Sequence, residues 1–344
     1  MKDIQRIHCS TLGNFKSTLE NLNAPIIVEG LCENWPVVQQ AKISNFSFAD
    51  YLKRHGNYNK APTVIVDPNC HGHIGYRNEE QDFSFIKKEI AFNTVLSQLI
   101  EEDKRGVQNA GIALQSGLIS TFSNDFLLEN PSPQFLKDVE PRLWVSNRTS
   151  VPAHYDSYYN LAFVIGGKRT FYLFPINEID NLYVGPIDNS PTGPVISMVN
   201  IEQPDLKRHP KFELAQKSMH VATLNPGEAI YIPPLWWHSV YATESINGLL
   251  NYWWGEDLQG TFPKVASSDA LLFAILSIRA LPKSQRSAWK TLFDYYVFGD
   301  KTIALQHLTN SYQGILREVN DENTRELYRW LFQRLAILSG HKSS

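Results

Sequence analysis

Three residues have the types and the spacing to hold a metal ion. His154 and Asp156 stand two apart in Ala153-His154-Tyr155-Asp156, and His238 ends the run Pro226-Gly227-Glu228-Ala229-Ile230-Tyr231-Ile232-Pro233-Pro234-Leu235-Trp236-Trp237-His238. Side chains two apart on a strand leave by the same face, so His154 and Asp156 can grip one ion while Tyr155 points the other way. A third ligand so far along the chain must come from another strand, so the site exists only once the fold has closed. Two neutral imidazoles and a carboxylate on one face of an octahedral ion leave the opposite positions open for oxygen and a chelating co-substrate, which is the chemistry of a non-haem iron oxygenase.

Composition sets the frame in which such a site could form. The 344 residues carry a net charge of −3, with 43% hydrophobic and 12% aromatic residues. That predicts an ordered globular protein of one or two domains with a sizeable core. Nucleic acid or an anionic membrane would call for a clustered basic face, so neither partner is expected. Cys9, Cys32 and Cys70 are too few and too scattered for a disulfide framework and suit a reducing compartment. Met1-Lys2-Asp3-Ile4-Gln5-Arg6 opens no apolar signal segment. Apolar runs such as Ala270–Leu276 fall short of the roughly 20 residues that span a bilayer. A cytoplasmic location is expected.

The elements that must position the three residues change character twice along the chain. Residues 1–105 read as an α/β wrapping segment, with a strand in Ala24–Gly30, a helix over Phe48–Arg54, a strand over Thr63–Val66 and a helix over Thr94–Glu102. Residues 106–255 hold short strands punctuated by Gly, Pro and Asn, which predicts a sandwich or barrel that contains all three ligands. Residues 256–344 read as a helical region, with apolar residues at helical spacing at Leu271, Leu272, Ile275 and Ile278 and at Leu327, Trp330, Leu331, Leu335 and Leu338. A short terminal helix can scarcely bury the second stripe on itself, so these helices are expected to form either a homodimer interface or a layer on the barrel.

One hairpin is predicted in detail. Asn160–Ile165 forms a strand, Gly166-Gly167 a tight turn, and Lys168–Phe174 the return strand. That register sets Val164 opposite Arg169, Ala162 opposite Phe171 and Asn160 opposite Leu173, all on the face of His154 and Asp156. Arg169 therefore points inward. A buried guanidinium does not shed its proton and needs an anion. The bidentate carboxylate of a bound acid supplies one, and a core carboxylate such as Glu228 is the alternative.

These residues resemble the JmjC and cupin-like oxygenases, built on a double-stranded β-helix and dependent on Fe(II) and 2-oxoglutarate, including the branch of the asparaginyl hydroxylase factor inhibiting HIF. The matching pieces are His154-Tyr155-Asp156 with Asn160, the Gly-Lys-Arg stretch running to Leu173-Phe174-Pro175, Pro226-Gly227-Glu228, Tyr231-Ile232-Pro233, Trp236-Trp237-His238 and Asn251-Tyr252-Trp253. Upstream, Pro25–Leu31 with Asn34-Trp35-Pro36 resembles the entry strand and turn of such proteins, and Leu281-Pro282 with Trp289–Phe298 resembles a bacterial cupin-like subgroup. The resemblance implies a mainly β fold with α elements: a jelly-roll core, N-terminal α/β wrapping and a C-terminal helical region. It implies His154, Asp156 and His238 as iron ligands, and Arg169, Asn160 and Asn251 as contacts to 2-oxoglutarate. Tyr158 and Trp253 are the substrate-side candidates.

Departures from the family pattern bear on the co-substrate. Relatives hold the far carboxylate of 2-oxoglutarate with a lysine, a threonine and a tyrosine; here those positions are matched by Arg169, Val151 and Ala113. A bidentate arginine could replace the lysine and both hydroxyls, with the small Ala113 making room, or the changes could serve a different acid. Three readings stay open: a 2-oxoglutarate-dependent hydroxylase of a peptide or small molecule, a cupin that binds metal and acid as a regulatory module, and a metal-dependent enzyme that does not use 2-oxoglutarate. Cys70-His71-Gly72-His73 invites a second metal, but its Asn, Gly and Pro neighbours mark a loop without a complementary ligand pair.

Overall fold

Short apolar runs bounded by Gly, Pro and Asn become strands, and in the computed structural model, which describes residues 2–11, 15–77, 82–191, 193–255, 266–316 and 321–338, they sort into two sheets. In chain order these are β1 (Lys2–Asp3), β2 (Gln5–His8), β3 (Ile26–Glu29), β4 (Lys60–Val66), β5 (Phe85–Ala91), β6 (Gly111–Leu118), β7 (Arg142–Ser146), β8 (Ser150–His154), β9 (Tyr159–Gly166), β10 (Arg169–Phe174), β11 (His220–Leu224), β12 (Ala229–Ile232), β13 (Trp237–Ala242) and β14 (Asn247–Trp254). The smaller sheet runs β1-β11-β10-β13-β8 and the larger β2-β3-β12-β9-β14-β7-β6-β4-β5. From β7 onward the chain passes back and forth between the sheets, and that is the double-stranded β-helix. The N-terminal strands extend both edges of the larger sheet.

Strand alternation sorts the side chains into layers. Leu161, Phe163 and Ile165 of β9 face outward and bury against the helices Pro36–Ile43, Asn45–His55 and Phe92–Arg105 through Val38, Phe48, Leu52 and Leu96. Removing a Leu or Phe of this kind from water contributes about 1.5–3 kcal/mol each. The same strand turns Ala162 and Val164 inward, to meet Phe171 and Leu173 of the other sheet. A third cluster, with Leu182, Val199 and Phe212, covers the outer face of the smaller sheet through Phe174 and Trp237. The helix ends are made locally: the Ser44 side chain accepts from the Ser47 N–H, and Gly106 closes the helix Phe92–Arg105 at φ 63°.

The expected hairpin is a correction. β9 pairs with β12 and β14, while β10 pairs with β11 and β13, so the two strands lie in different sheets and share no ladder. Gly167, at φ 67°, carries the chain across the gap. Val164, Ala162 and Asn160 still share an interior with Arg169, Phe171 and Leu173, but across it rather than side by side.

Contact density divides the chain into two units, Met1–Gly255 and Glu256–Ser344. The second holds the helices Ser267–Ile278, Lys283–Phe293 and Asp321–Leu338. Its apolar stripes are open to solvent: Leu327, Leu331 and Leu335 keep 39%, 45% and 40% of their surface exposed.

Candidate metal centre

β8 and β13 are neighbours in the smaller sheet, and their register sets His154 directly opposite His238. The two rings lie 4.3 Å apart between centroids, and the ligand atoms of His154, Asp156 and His238 all fall within 4.8 Å of one another. Each imidazole is oriented by its own backbone, with Nδ1 of His154 2.9 Å from the Pro152 carbonyl and Nδ1 of His238 3.0 Å from the Trp236 carbonyl. When those Nδ1–H groups donate, both Nε2 lone pairs are free for a metal. Burial, followed by the neighbouring His154, pushes the His238 pKa below the usual imidazole range, which favours the neutral ring that a metal requires. Two neutral nitrogens and a carboxylate converging from one side are the donor set for a divalent iron.

Two local irregularities build this arrangement. β8 ends at His154, so Asp156 owes its place to the loop that follows rather than to strand alternation. Tyr155 points away, as expected, and packs edge-on against Trp237 at 4.9 Å. A β-bulge then shifts the register between the His238–His154 and Val240–Val151 pairs, leaving one extra residue in β8. Val151 and His154, three apart, can thereby both line the interior.

That interior is a cavity of about 570 Å³ between the sheets, lined by all three candidate ligands and by Arg169, Asn160 and Asn251. Arg169 is 6% exposed, its Nε and Nη2 have no hydrogen-bond partner, and burial pushes its pKa down to about 10, leaving it a cation. Glu228, the core carboxylate that could have neutralised it, is engaged by Arg6 and by the Asn225 N–H. Asn251 Nδ2 donates to Asn160 Oδ1 at 2.8 Å, which leaves Asn251 Oδ1 buried without a partner.

The remaining sequence candidates divide. Trp253 lines the cavity, while Tyr158 stands behind it, stacked on the Trp253 ring at 6.4 Å. Val151 lines the cavity, whereas Ala113 packs with Val64, Val66, Ile74 and Phe85 and is not among the lining residues. In Cys70–His73, His71 takes a left-handed turn and His73 Nδ1 lies 3.3 Å from Ser150 Oγ; among the described residues His154, Asp156 and His238 are the one cluster able to hold a metal. Sequence reasoning missed Arg142 and Trp144, which also line the cavity. Their signal was the alternation of β7, where Leu143 and Val145 bury on the opposite face.

Comparison with known proteins finds a matching family and several relatives. The family described as "Cupin-like domain" matches residues 13–259. JmjC domain-containing protein D of Dictyostelium discoideum is 29% identical over 67% of this chain and 51% of its own length. Lysine-specific demethylase 8 of Xenopus tropicalis is 22% identical over 73% and 52%. Human HSPB1-associated protein 1 is 36% identical over 33% and 23%. The chain thus matches from about a quarter to about half of the length of these relatives, all of them eukaryotic.

Proposed function

Because this chain belongs to the cupin-like domain family, we propose that it is an Fe(II)- and 2-oxoglutarate-dependent dioxygenase that hydroxylates a protein side chain or a small molecule. The observation that carries this reading is Arg169, a buried, unpaired guanidinium in the same cavity as the triad. A dicarboxylate answers both demands at once, with one end for a metal and the other for the arginine's planar fork.

In this reading His154, Asp156 and His238 hold the iron, Arg169 receives the far carboxylate, and the Asn160–Asn251 pair orients the bound acid through its free Asn251 Oδ1. Iron held there would supply dioxygen activation, with oxidative decarboxylation of 2-oxoglutarate to succinate and CO2 giving two of the four electrons that dioxygen takes up and the substrate giving the other two. The protein's part is to fix the ligands through their second ring nitrogens and to keep the cavity walls apolar through Phe171, Val240 and Leu249. The test is anaerobic addition of 2-oxoglutarate to the Fe(II) protein, followed through the metal-to-ligand charge-transfer band, and then oxygen with succinate measured. A band with succinate release supports the proposal; a band that never leads to succinate leaves a binding module, and no band removes 2-oxoglutarate from the reading.

Relatives named HSPB1-associated protein 1 and lysine-specific demethylase 8 support a protein substrate or partner. The exposed leucines of the helix Asp321–Leu338 support a homodimer through the C-terminal helices. The free thiols of Cys9, Cys32 and Cys70 support a reducing, cytoplasmic setting.

A further inference from the structure

The cavity holds a second guanidinium that the proposed chemistry leaves unused. Arg142 of β7 lies in register with Asn251 of β14, which lies in register with Ala162 of β9, so all three face the interior from the larger sheet. Its place is built. The β6–β7 register shifts between Leu114 and Gly117, and within that bulge Ser116 takes a left-handed φ of 51°, unusual for a residue with a Cβ. Arg142 Nη1 donates to the Ser116 carbonyl at 3.2 Å and to its hydroxyl at 3.3 Å, while the guanidinium lies over the Trp253 ring at 5.6 Å. Strain at a bulge beside a cavity is a recurring device for aiming a functional side chain.

Two further observations say what Arg142 is aimed at. Among the described residues no carboxylate pairs with it. Next to it, Trp144 and Trp253 meet edge-on at 6.4 Å, and the indole N–H of each is buried without an acceptor. A guanidinium flanked by two indoles thus lines the cavity with no carboxylate of the described residues paired to it. With a divalent ion on Asp156 and a dicarboxylate on Arg169 the charges at the metal end cancel, leaving Arg142 as an excess positive charge inside the cavity. At the rim, β5 sets Lys87 and Lys88 against Glu89 alone.

We infer that Arg142, stacked on Trp253 and held by Ser116, is the substrate-side anchor and that the substrate presents a carboxylate to it. This rests on the dioxygenase reading for the identity of the co-substrate. It does not rest on that reading for the preference itself, which follows from the unpaired charge of Arg142 and from its fixed place in the cavity wall. A cationic side chain, such as that of a lysine, is disfavoured in the same place.

The test uses the full-length protein loaded anaerobically with Mn(II) and 2-oxoglutarate, and calorimetry with capped probes. N-acetyl-aspartate amide, N-acetyl-asparagine amide and N-acetyl-lysine amide form one set, and five-residue alanine peptides centred on Asp, Asn or Lys the other. The aspartyl member should bind most tightly in at least one set; the small set binding alone indicates a free acid, and the peptides binding alone indicate an acidic protein segment. Arg142→Gln should weaken the aspartyl probe about thirtyfold or more, Arg142→Lys should recover part of that, and Arg142→Glu should favour the lysyl probe. Asparaginyl or lysyl probes binding as tightly as the aspartyl ones, or no probe binding at all, would overturn the inference. So would loss of 2-oxoglutarate affinity in Arg142→Gln with retention in Arg169→Gln, because Arg142 would then be the co-substrate's anchor. If the wild type gives no charge-transfer band with 2-oxoglutarate, the dioxygenase reading falls, and the aspartyl preference is measured on the Mn(II) protein alone.

Discussion

The Leu235 backbone N–H donates to the Asp156 backbone carbonyl at 2.8 Å, and it does so from a left-handed turn with Leu235 at φ 65°. One hydrogen bond therefore ties the loop that carries the candidate ligand Asp156 to the turn that launches β13 and His238. The turn stores strain that a branched side chain does not relieve. Leu235→Gly should keep metal affinity and stay within about 1 kcal/mol of wild-type stability, since relief of strain and added chain entropy oppose each other. Leu235→Pro removes the donor and forbids the positive φ, and should lower Mn(II) affinity about tenfold or more, the size of a lost supporting contact around a metal ligand. Calorimetric titration of both variants is the measurement, and equal affinities would deny this contact any part in positioning the site.

The triad should act as a unit. His154 and His238 are both oriented by carbonyl hydrogen bonds, and Asp156 Oδ2 lies 3.5 Å from His238 Nε2, so removal of any one breaks the facial geometry, and removal of Asp156 also takes away the site's negative charge. Asp156→Ala or His238→Ala should abolish stoichiometric Fe(II) or Mn(II) binding, with circular dichroism unchanged because the clusters on either side of the sheets remain intact. Wild-type metal affinity in either variant would remove that residue from the ligand set.

Arg169→Ala should weaken 2-oxoglutarate binding by about 2–5 kcal/mol, the range for truncating one partner of a buried, hydrogen-bonded charge pair. Metal binding should survive, because Arg169 touches none of the three ligands in their hydrogen-bond network. Arg169→Lys should restore only part of the affinity, since an ammonium lacks the fork and Val151 offers no hydroxyl beside it. The charge-transfer band gives the dissociation constants; equal values for Arg169→Ala and wild type would make the arginine structural.

How much of this was legible in the sequence depended on how local each constraint is. The candidate metal cluster was readable because a histidine, a carboxylate and a later histidine at the start of a strand form a compact chemical pattern. The inward direction of Arg169 was also readable, yet for a reason that fails: Gly166-Gly167 suggested a hairpin, whereas the chain crosses there to the opposite sheet. Alternation within each strand survives that error, because the interior of a two-sheet fold is shared. Alternation could not reveal that Val151 and His154 share a face, since a bulge re-phases β8. Nor could it show that Arg142 meets Ser116 and Trp253, which depends on the register of three strands and on a left-handed serine.

The C-terminal helix Asp321–Leu338 makes the last prediction. Leu327, Leu331 and Leu335 recur at intervals of four, which aligns them along one face, and each keeps about two fifths of its surface exposed (39%, 45% and 40%), with Trp330 beside them at 50%. Contiguous apolar patches beyond a few hundred Å² are unusual on a monomer, and a stable dimer needs about 1,200–2,000 Å² of total buried surface. The full chain should sediment as a dimer at micromolar concentration. Replacing Leu331 and Leu335 together by Asp sets two carboxylates into that face and should give monomers, while the 2-oxoglutarate band keeps its wild-type dissociation constant, because the site lies wholly within the first unit. A wild-type chain that is monomeric across the micromolar range, with the same melting temperature after removal of residues 321–344, would show that this helix joins no second copy.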